Sequence, residues 1–174
     1  MRNFESIFME DINDKKRFEM SNIKIGDLVP AFEVMTDAGE MFNHEMLKGS
    51  PTVLYFYPKD NTSGCTLEAQ SLRDGKAELL ARGYKIVGVS PDSVKSHQNF
   101  CKKHDLNFTL LADTEHQLAE AMGVWRMKKM CGREYMGIVR TTFLLDSEAR
   151  VTHIITKVDT KDAYTQIVRL LDEK

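Results

Sequence analysis

Apolar and polar positions along the chain fall into short runs whose period changes from element to element. Thr52-Val-Leu-Tyr-Phe-Tyr57 is a continuous apolar and β-branched run, the pattern of a strand buried on both faces, and Pro58 ends it. Asp60, Asn61, Thr62, Ser63 and Gly64 are turn and cap residues. Beyond them Ala69, Leu72, Leu79 and Leu80 recur at helical spacing, so Cys65 falls in the first turn of a helix. Gly83 reads as its C-cap, and Lys85–Ser90 as a second buried strand, which makes residues 52–90 one βαβ unit with parallel strands. Gly75 is an awkward interior residue of that helix, costing it about 1 kcal/mol relative to Ala, with no function to account for it.

On either side of this unit the patterns are shorter. Ala31–Met35 and Met41-Phe42 predict a hairpin around Asp37–Gly39. Asp92 or Ser93 caps a predicted helix over Val94–His104. Phe108–Leu111 reads as a short strand, and Glu115–Ala121 as a helix closed by Gly123. Arg126–Arg133 reads as a basic, glycine-bearing connection. Gly137–Leu145 and Arg150–Lys157 then form an antiparallel hairpin around Asp146-Ser147. A last helix over Thr160–Leu171 presents Ala163, Ile167, Leu170 and Leu171 on one face. The order predicts an α/β domain over residues 23–174, a mixed central sheet flanked by helices on both sides.

Residues 1–22 read as an N-terminal extension. Phe4, Ile7, Phe8 and Ile12 have helical spacing, but Glu5, Glu10, Asp11, Asp14 and Glu19 interrupt any signal-peptide core. Two readings stay open: translation begins at Met20, or the stripe packs on the domain or on a partner.

Composition narrows the function classes. With 42% hydrophobic and 29% charged residues the 174-residue chain is ordinary for one soluble domain, and its net charge of -2 offers no electrostatic attraction to nucleic acid or membrane. Three cysteines do not make a disulfide framework and point to a reducing compartment, the cytoplasm by default.

Cys65 is the candidate centre of chemistry. The first N–H groups of a helix lack intrahelical partners and the peptide dipoles favour negative charge there, so a thiolate is stabilised at such a site. Position i+3 is Glu68, which excludes a CxxC dithiol pair.

The loop spells Pro58-x-x-x-Thr62-x-x-Cys65, and here the sequence resembles the peroxiredoxins, most closely the Q-type subfamily. From about Ile23 onward the resemblance runs through Gly26-Asp-Leu-Val-Pro-Ala-Phe, Tyr55-Phe-Tyr-Pro-Lys-Asp, Gly64-Cys-Thr, Ser71-Leu-Arg-Asp, Gly88-Val-Ser-Pro-Asp, Asn107-Phe-Thr-Leu-Leu-Ala-Asp and Arg140-Thr-Thr-Phe-Leu-Leu-Asp. It implies a thioredoxin-like fold with an N-terminal β-hairpin. It also implies a thiol peroxidase for hydrogen peroxide and organic hydroperoxides, without metal or cofactor, recycled by thioredoxin or a similar dithiol, and monomeric.

The resemblance also assigns roles. Cys65 is the peroxidatic thiol, oxidised to a sulfenic acid. Thr62, otherwise readable as a helix N-cap, hydrogen-bonds peroxide and thiolate; Pro58, otherwise only a strand end, shields the sulfur from water. Arg140 supplies a fixed cation and two donors. Glu68, by its position one turn after Cys65, reads either as the group that holds Arg140 in place or as a helical glutamate facing water, and Arg73 is similarly ambiguous. Cys101 matches one of the subfamily's two positions for a resolving cysteine, while Gln70 occupies the other. A Cys65–Cys101 disulfide needs Cα atoms within about 7 Å, so one of the two helices must unwind locally. Cys131 reads as a bystander, with a competing role as resolving cysteine left open.

Two competing readings differ in class. His97, Cys101 and His104 share one helix face and, with Cys65 or Cys131, could form a non-enzymatic zinc module. Alternatively, the same cysteine chemistry serves a peroxide sensor that relays oxidation to a partner.

Overall fold

The computed structural model describes residues 23–173, so the apolar stripe of Phe4, Ile7, Phe8 and Ile12 lies outside the described residues. Nine strands are described: β1 (Glu33–Thr36), β2 (Met41–Asn43), β3 (Thr52–Phe56), β4 (Lys85–Ser90), β5 (Thr109–Ala112), β6 (Trp125–Met130), β7 (Arg133–Ile138), β8 (Thr141–Leu145) and β9 (Val151–Ile155). Four α-helices accompany them: α1 (Ser63–Ala81), α2 (Val94–His104), α3 (Gln117–Ala121) and α4 (Ala163–Asp172). Seven strands form one mixed sheet in the order β2-β1-β5-β4-β3-β8-β9. The predicted βαβ unit is at its centre, with β3 and β4 parallel and Thr52 opposite Lys85. The N-terminal hairpin joins the same sheet, because β1 pairs antiparallel with β5. Among the described residues, no helix is long and apolar enough to cross a membrane.

Strict alternation along the central strands sorts the core into two clusters. Val53, Tyr55 and Tyr57 of the β3 segment meet Ala69, Leu72 and Leu79 of α1, Phe100 of α2 and Ile167 of α4 on one face. Leu54 and Phe56 turn to the other, against Leu118 and Ala119 of α3, Phe143 and Leu145. The buried run Thr52–Tyr57 is therefore apolar throughout because helices cover both sides of it.

The helix boundaries follow local chemistry. Ser93 caps α2 by accepting from the Ser96 amide at 3.1 Å. Gly83, at φ +89, ends α1: its amide bonds Leu80 O and the Tyr84 amide bonds Leu79 O.

Two expectations are corrected. Arg126–Arg133 is not a connection but most of a two-stranded ribbon, β6 with β7, turned by Cys131 at φ +51 and Gly132 at φ +78. That is a type I′ turn, usually signalled by Asn-Gly, and here Cys-Gly hid it. The ribbon exposes most positions on both faces, so basic and Met residues follow one another without the period of a half-buried strand. The predicted strand Gly137–Leu145 accordingly breaks in two, with Val139 and Arg140 in the step between β7 and β8.

The structure also explains Gly75. A Cβ there would stand 2.1 Å from Tyr164 Cδ2, because α4 crosses α1 at this point with Tyr164 laid against the bare backbone. The Tyr164 amide donates to Ser71 Oγ at 3.1 Å in the same contact. Gly75→Ala should therefore destabilise the fold by about 1–3 kcal/mol, although helix propensity alone favours Ala by about 1 kcal/mol. Thermal unfolding checks this: a melting temperature equal to or above that of the wild type would show that Tyr164 yields freely.

Candidate active site

Strand β3 ends at Phe56, and the five residues Pro58 to Thr62 carry the chain into α1. Asn61 takes the left-handed conformation at φ +62, which Asn tolerates better than most residues, and tightens the turn. Thr62 occupies the N-cap position but its hydroxyl makes no cap bond; it donates instead to Lys59 O at 3.0 Å. The expected side-chain cap is thus absent. The amides of Ser63, Gly64 and Cys65, which helix geometry leaves without carbonyl partners, are not engaged by the Thr62 side chain.

Cys65 is 1% exposed and sits at the edge of the α1 core cluster. Burial alone would argue for an inert thiol. The polar contact decides otherwise: Arg140 Nη2 donates to Cys65 Sγ at 3.3 Å, and Arg140 Nη1 to Glu68 Oε1 at 2.7 Å. One guanidinium therefore spans two groups that lie one helical turn apart, which the fork of Arg permits and a single ammonium does not reproduce. Its seat depends on Gly64, where a Cβ would lie 3.3 Å from Arg140 Nη2. The antiparallel pairing of β3 with β8 brings it there, since Phe56 stands opposite Thr141, the residue after Arg140.

The electrostatics are those of a buried charged pair. Glu68 is fully buried, and burial pushes its carboxyl up from 4.5 to about 7 against the opposing pull of Arg140. Its Oε2 has no protein hydrogen-bond partner among the described residues. Burial disfavours the Arg140 cation, but the negative charge of Glu68 and Cys65 beside it raises it above its ordinary value. The Tyr55 hydroxyl, also without a protein partner, is kept neutral by burial first and by the charges of Glu68 and Cys65 next.

The remaining candidates separate. Pro58 is half-buried at the end of the β3 segment. Arg73 does not reach Cys65; its Nη1 donates to the His104 carbonyl at 2.6 Å, tying α1 to the end of α2. Cys101 is half-buried on α2, borders the same core cluster as Cys65, and directs its thiol at Asp37 Oδ2, 3.8 Å away. Burial, then Asp37 and Asp60, push that thiol up to about 12. Cys65, Cys101 and Cys131 are all free, and Cys131 is exposed at the tip of the β6–β7 ribbon.

The zinc reading fails on geometry. Both ring nitrogens of His97 face acceptors, Asp60 Oδ2 at 2.7 Å and Leu111 O at 2.9 Å, so neither offers a lone pair. His104 Nε2 is 3.3 Å from Asn61 Oδ1 instead of turning toward Cys101. The same contacts show what residue patterns missed. Asp60 looked like a turn residue and His97 like a solvated or ligating histidine, yet together they form a buried pair next to the site.

Comparison with known proteins gives the family and the fold. Residues 25–154 match the AhpC/TSA family. The chain is 46% identical over 151 residues to "Peroxiredoxin Bcp" of Bacillus subtilis, which covers 87% of this chain and 96% of the relative. It is 37% identical over 154 residues to "Peroxiredoxin Bcp" of Escherichia coli, covering 88% and 99%. Among solved structures it is similar to Xanthomonas campestris Peroxiredoxin Q, with a TM-score of 0.76 and 37% identity over 80% of this chain and 89% of that one. A second solved structure concerns alkyl peroxide reduction by the X. campestris bacterioferritin comigratory protein, in trapped intermediate and ligand complexes. It has a TM-score of 0.76 and 36% identity over the same shares, 80% and 89%.

Glu68 yields a stability prediction. Its carboxyl titrates near 4.5 when free and about 7 in the fold, so between those values the folded chain holds a proton that the unfolded chain has released. Stability contributed by this group is complete below 4.5 and declines as pH rises through about 7. Denaturation midpoints measured across this window should fall less steeply for Glu68→Gln than for the wild type; identical slopes would mean that Glu68 is ionised throughout.

Proposed function

We propose residue roles from an established premise: the chain belongs to the AhpC/TSA family and is a peroxiredoxin, a thiol peroxidase that acts on hydroperoxides and draws electrons from a thiol reductant. The observation that carries the assignment is the Arg140 guanidinium bound at once to Cys65 Sγ and Glu68 Oε1. The thiolate of Cys65 attacks one peroxide oxygen. A sulfur–oxygen bond forms, the oxygen–oxygen bond breaks, and the departing oxygen takes a proton to leave as water or an alcohol. Charge develops on that leaving oxygen. Arg140, which already donates to the Cys65 sulfur, and the first amides of α1 are the donors for it as it forms, and the Thr62 hydroxyl joins them by leaving Lys59 O. Glu68 holds Arg140 in register, and Pro58 closes the loop over the sulfur.

Cys101 then resolves the sulfenic acid. Its thiolate attacks the Cys65 sulfur, a disulfide forms, and the hydroxyl leaves as water; two electrons and two protons from a dithiol restore both thiols. In the reduced fold Cys101 is poorly suited to attack, because burial and Asp37 keep it a thiol. Opening of α2 around Cys101 removes both restraints. The same reading accepts alkyl as well as hydrogen peroxides, by analogy with the X. campestris protein. It takes thioredoxin or a similar dithiol as donor and treats the protein as a cytoplasmic monomer. Three cysteines, too few for a disulfide framework, support the compartment; the family resemblance supports the rest.

Mass spectrometry after one equivalent of peroxide should find a Cys65–Cys101 crosslink in the wild type and none in Cys65→Ser. In Cys101→Ser, Cys65 should stop at sulfenic or higher oxides. A wild-type crosslink to Cys131 instead would reassign the resolving role. Arg140→Lys should lower kcat/KM for peroxide by about 10²-fold, since one ammonium cannot bridge Glu68 and the sulfur as the fork does. Stopped-flow peroxide consumption measures this, and near-wild-type turnover would remove Arg140 from the mechanism.

A further inference from the structure

Outside the Cys65–Glu68–Arg140 cluster, a second buried charged network joins the loop before Cys65 to the helix that carries Cys101. Asp60, 5% exposed, accepts from the Tyr57 hydroxyl at 2.7 Å through Oδ1. Through Oδ2 it accepts from Ser96 Oγ at 2.8 Å and His97 Nδ1 at 2.7 Å. Its own amide donates to Asp92 Oδ2 at 2.8 Å, and that oxygen also accepts from Ser90 Oγ at 2.7 Å. His97 is fully buried, and its Nε2 lies 2.9 Å from the Leu111 carbonyl, which can only accept. Since the Leu111 carbonyl can only accept, Nε2 carries a proton, and the 2.7 Å contact between Nδ1 and Asp60 holds a second one between ring and carboxylate.

The electrostatics favour that second proton on the ring. Burial opposes both charges, yet the hydrogen bond and charge of His97 hold Asp60 below the ordinary carboxylate range, and Asp60 raises His97 above the ordinary histidine value.

The two ends of α2 are therefore held unequally. Its first half, through Ser96 and His97, is fastened by buried charge-assisted bonds to the catalytic loop. Its last turn has no buried side-chain bond: Arg73 donates to the His104 carbonyl in a part-buried contact, His104 touches the same loop only through an exposed 3.3 Å contact with Asn61, and the Cys101 thiol is 3.8 Å from Asp37. His97 and Cys101 are one turn apart, so the change from strong to weak fastening falls between them.

We propose that the Asp60–His97 pair is a positioning strap, which fixes the Pro58–Thr62 loop against the first half of α2 and leaves Cys101–His104 as the part that opens for disulfide formation. The second half of this statement rests on Cys101 being the resolving cysteine. The first half, the hold on the catalytic loop, does not. With the strap intact, the loop and Cys65 stay in the arrangement that reacts with peroxide. Breaking the strap loosens the loop and lowers the barrier to opening α2, so the two chemical steps move in opposite directions.

The test compares wild type, His97→Gln, Asp60→Asn and the double variant by rapid mixing with peroxide. His97→Gln should slow the reaction of Cys65 with peroxide by about tenfold. It should speed the following disulfide step several-fold, and it should require more peroxide for inactivation by overoxidation. The double variant should be no slower with peroxide than either single one, because each single change strands a buried charge. Hydrogen exchange on the oxidised wild type should show fast amides over residues 101–104 and protected ones over residues 97–100; in oxidised His97→Gln that protection should be lost. Where His97→Gln folds poorly, Ser96→Ala, which removes one bond to Asp60 and leaves the ion pair, should shift both steps in the same directions by less.

Both steps slowing together with a lower melting temperature would reduce the pair to a structural prop and overturn the proposal. So would exchange opening over the whole of α2 in the oxidised wild type. If the wild type forms no Cys65–Cys101 bond, the resolving assignment falls; the peroxide step in His97→Gln, measured in a Cys101→Ser background, still decides whether the strap positions the loop.

Discussion

Everything around Cys65 depends on a guanidinium placed inside the domain. A sulfur that is 1% exposed and a carboxylate with no exposure can remain near-ionic only if a cation meets both without leaving donors unused. Arg140 does so because two of its nitrogens point in different directions from one rigid plane. Removing the cation would leave the buried Glu68 carboxylate without compensation, and it would take up a proton. The upward shift of Glu68 to about 7, even with Arg140 in place, shows how close the balance is. The dependence is reciprocal. Glu68 fixes the guanidinium plane, and without that anchor a long side chain from the step before β8 would have many ways of missing the sulfur.

The fold supplies this cation from far along the chain. Arg140 and Cys65 are 75 residues apart, and the antiparallel register of β8 on β3 sets the base of Arg140 beside the end of the β3 segment. Slipping that register by one residue would turn Thr141 and Thr142 to opposite faces and carry the guanidinium away from α1. The broken strand between β7 and β8 contributes as well. A continuous strand through residues 137–145 would have alternated Arg140 onto a sheet face, whereas the step at Val139 and Arg140 lets the side chain reach over Gly64.

Around this centre the protein combines rigidity on the peroxide side with a weak point on the disulfide side. The loop before Cys65 is held by buried bonds from Tyr57, Ser96 and His97 to one carboxylate, while Cys101 is held by a long thiol contact and peripheral hydrogen bonds. With Cys101 in the proposed resolving role, this asymmetry is what resolution within one chain would need. The first step requires fixed donors, the second requires a helix to give way, and the two demands meet within one turn of α2.

Much of this was legible in the residue pattern. The βαβ unit, the bounds of α2 and the position of Cys65 in the first turn of α1 are local properties, set by apolar period, cap residues and Gly83, and they were read correctly from neighbouring residues. Cys65, Thr62 and Arg140 lie in the motifs that carry the family resemblance, and Glu68 was a candidate only because it stands one turn after Cys65; that Arg140 meets both Cys65 and Glu68 is visible only in the packed domain. The β6–β7 ribbon escaped because its turn uses Cys-Gly and most of its positions on both faces are exposed. Gly75 looked like a penalty because its reason, Tyr164, arrives from a helix 89 residues later. The charged state of His97, the orphan oxygen of Glu68 and the turning of the Thr62 hydroxyl away from the helix end were not readable at all. Sequence determines which groups are present and how neighbours are spaced; only the packed domain decides which distant partner excludes water from a group, and in a low-dielectric interior that partner sets its charge.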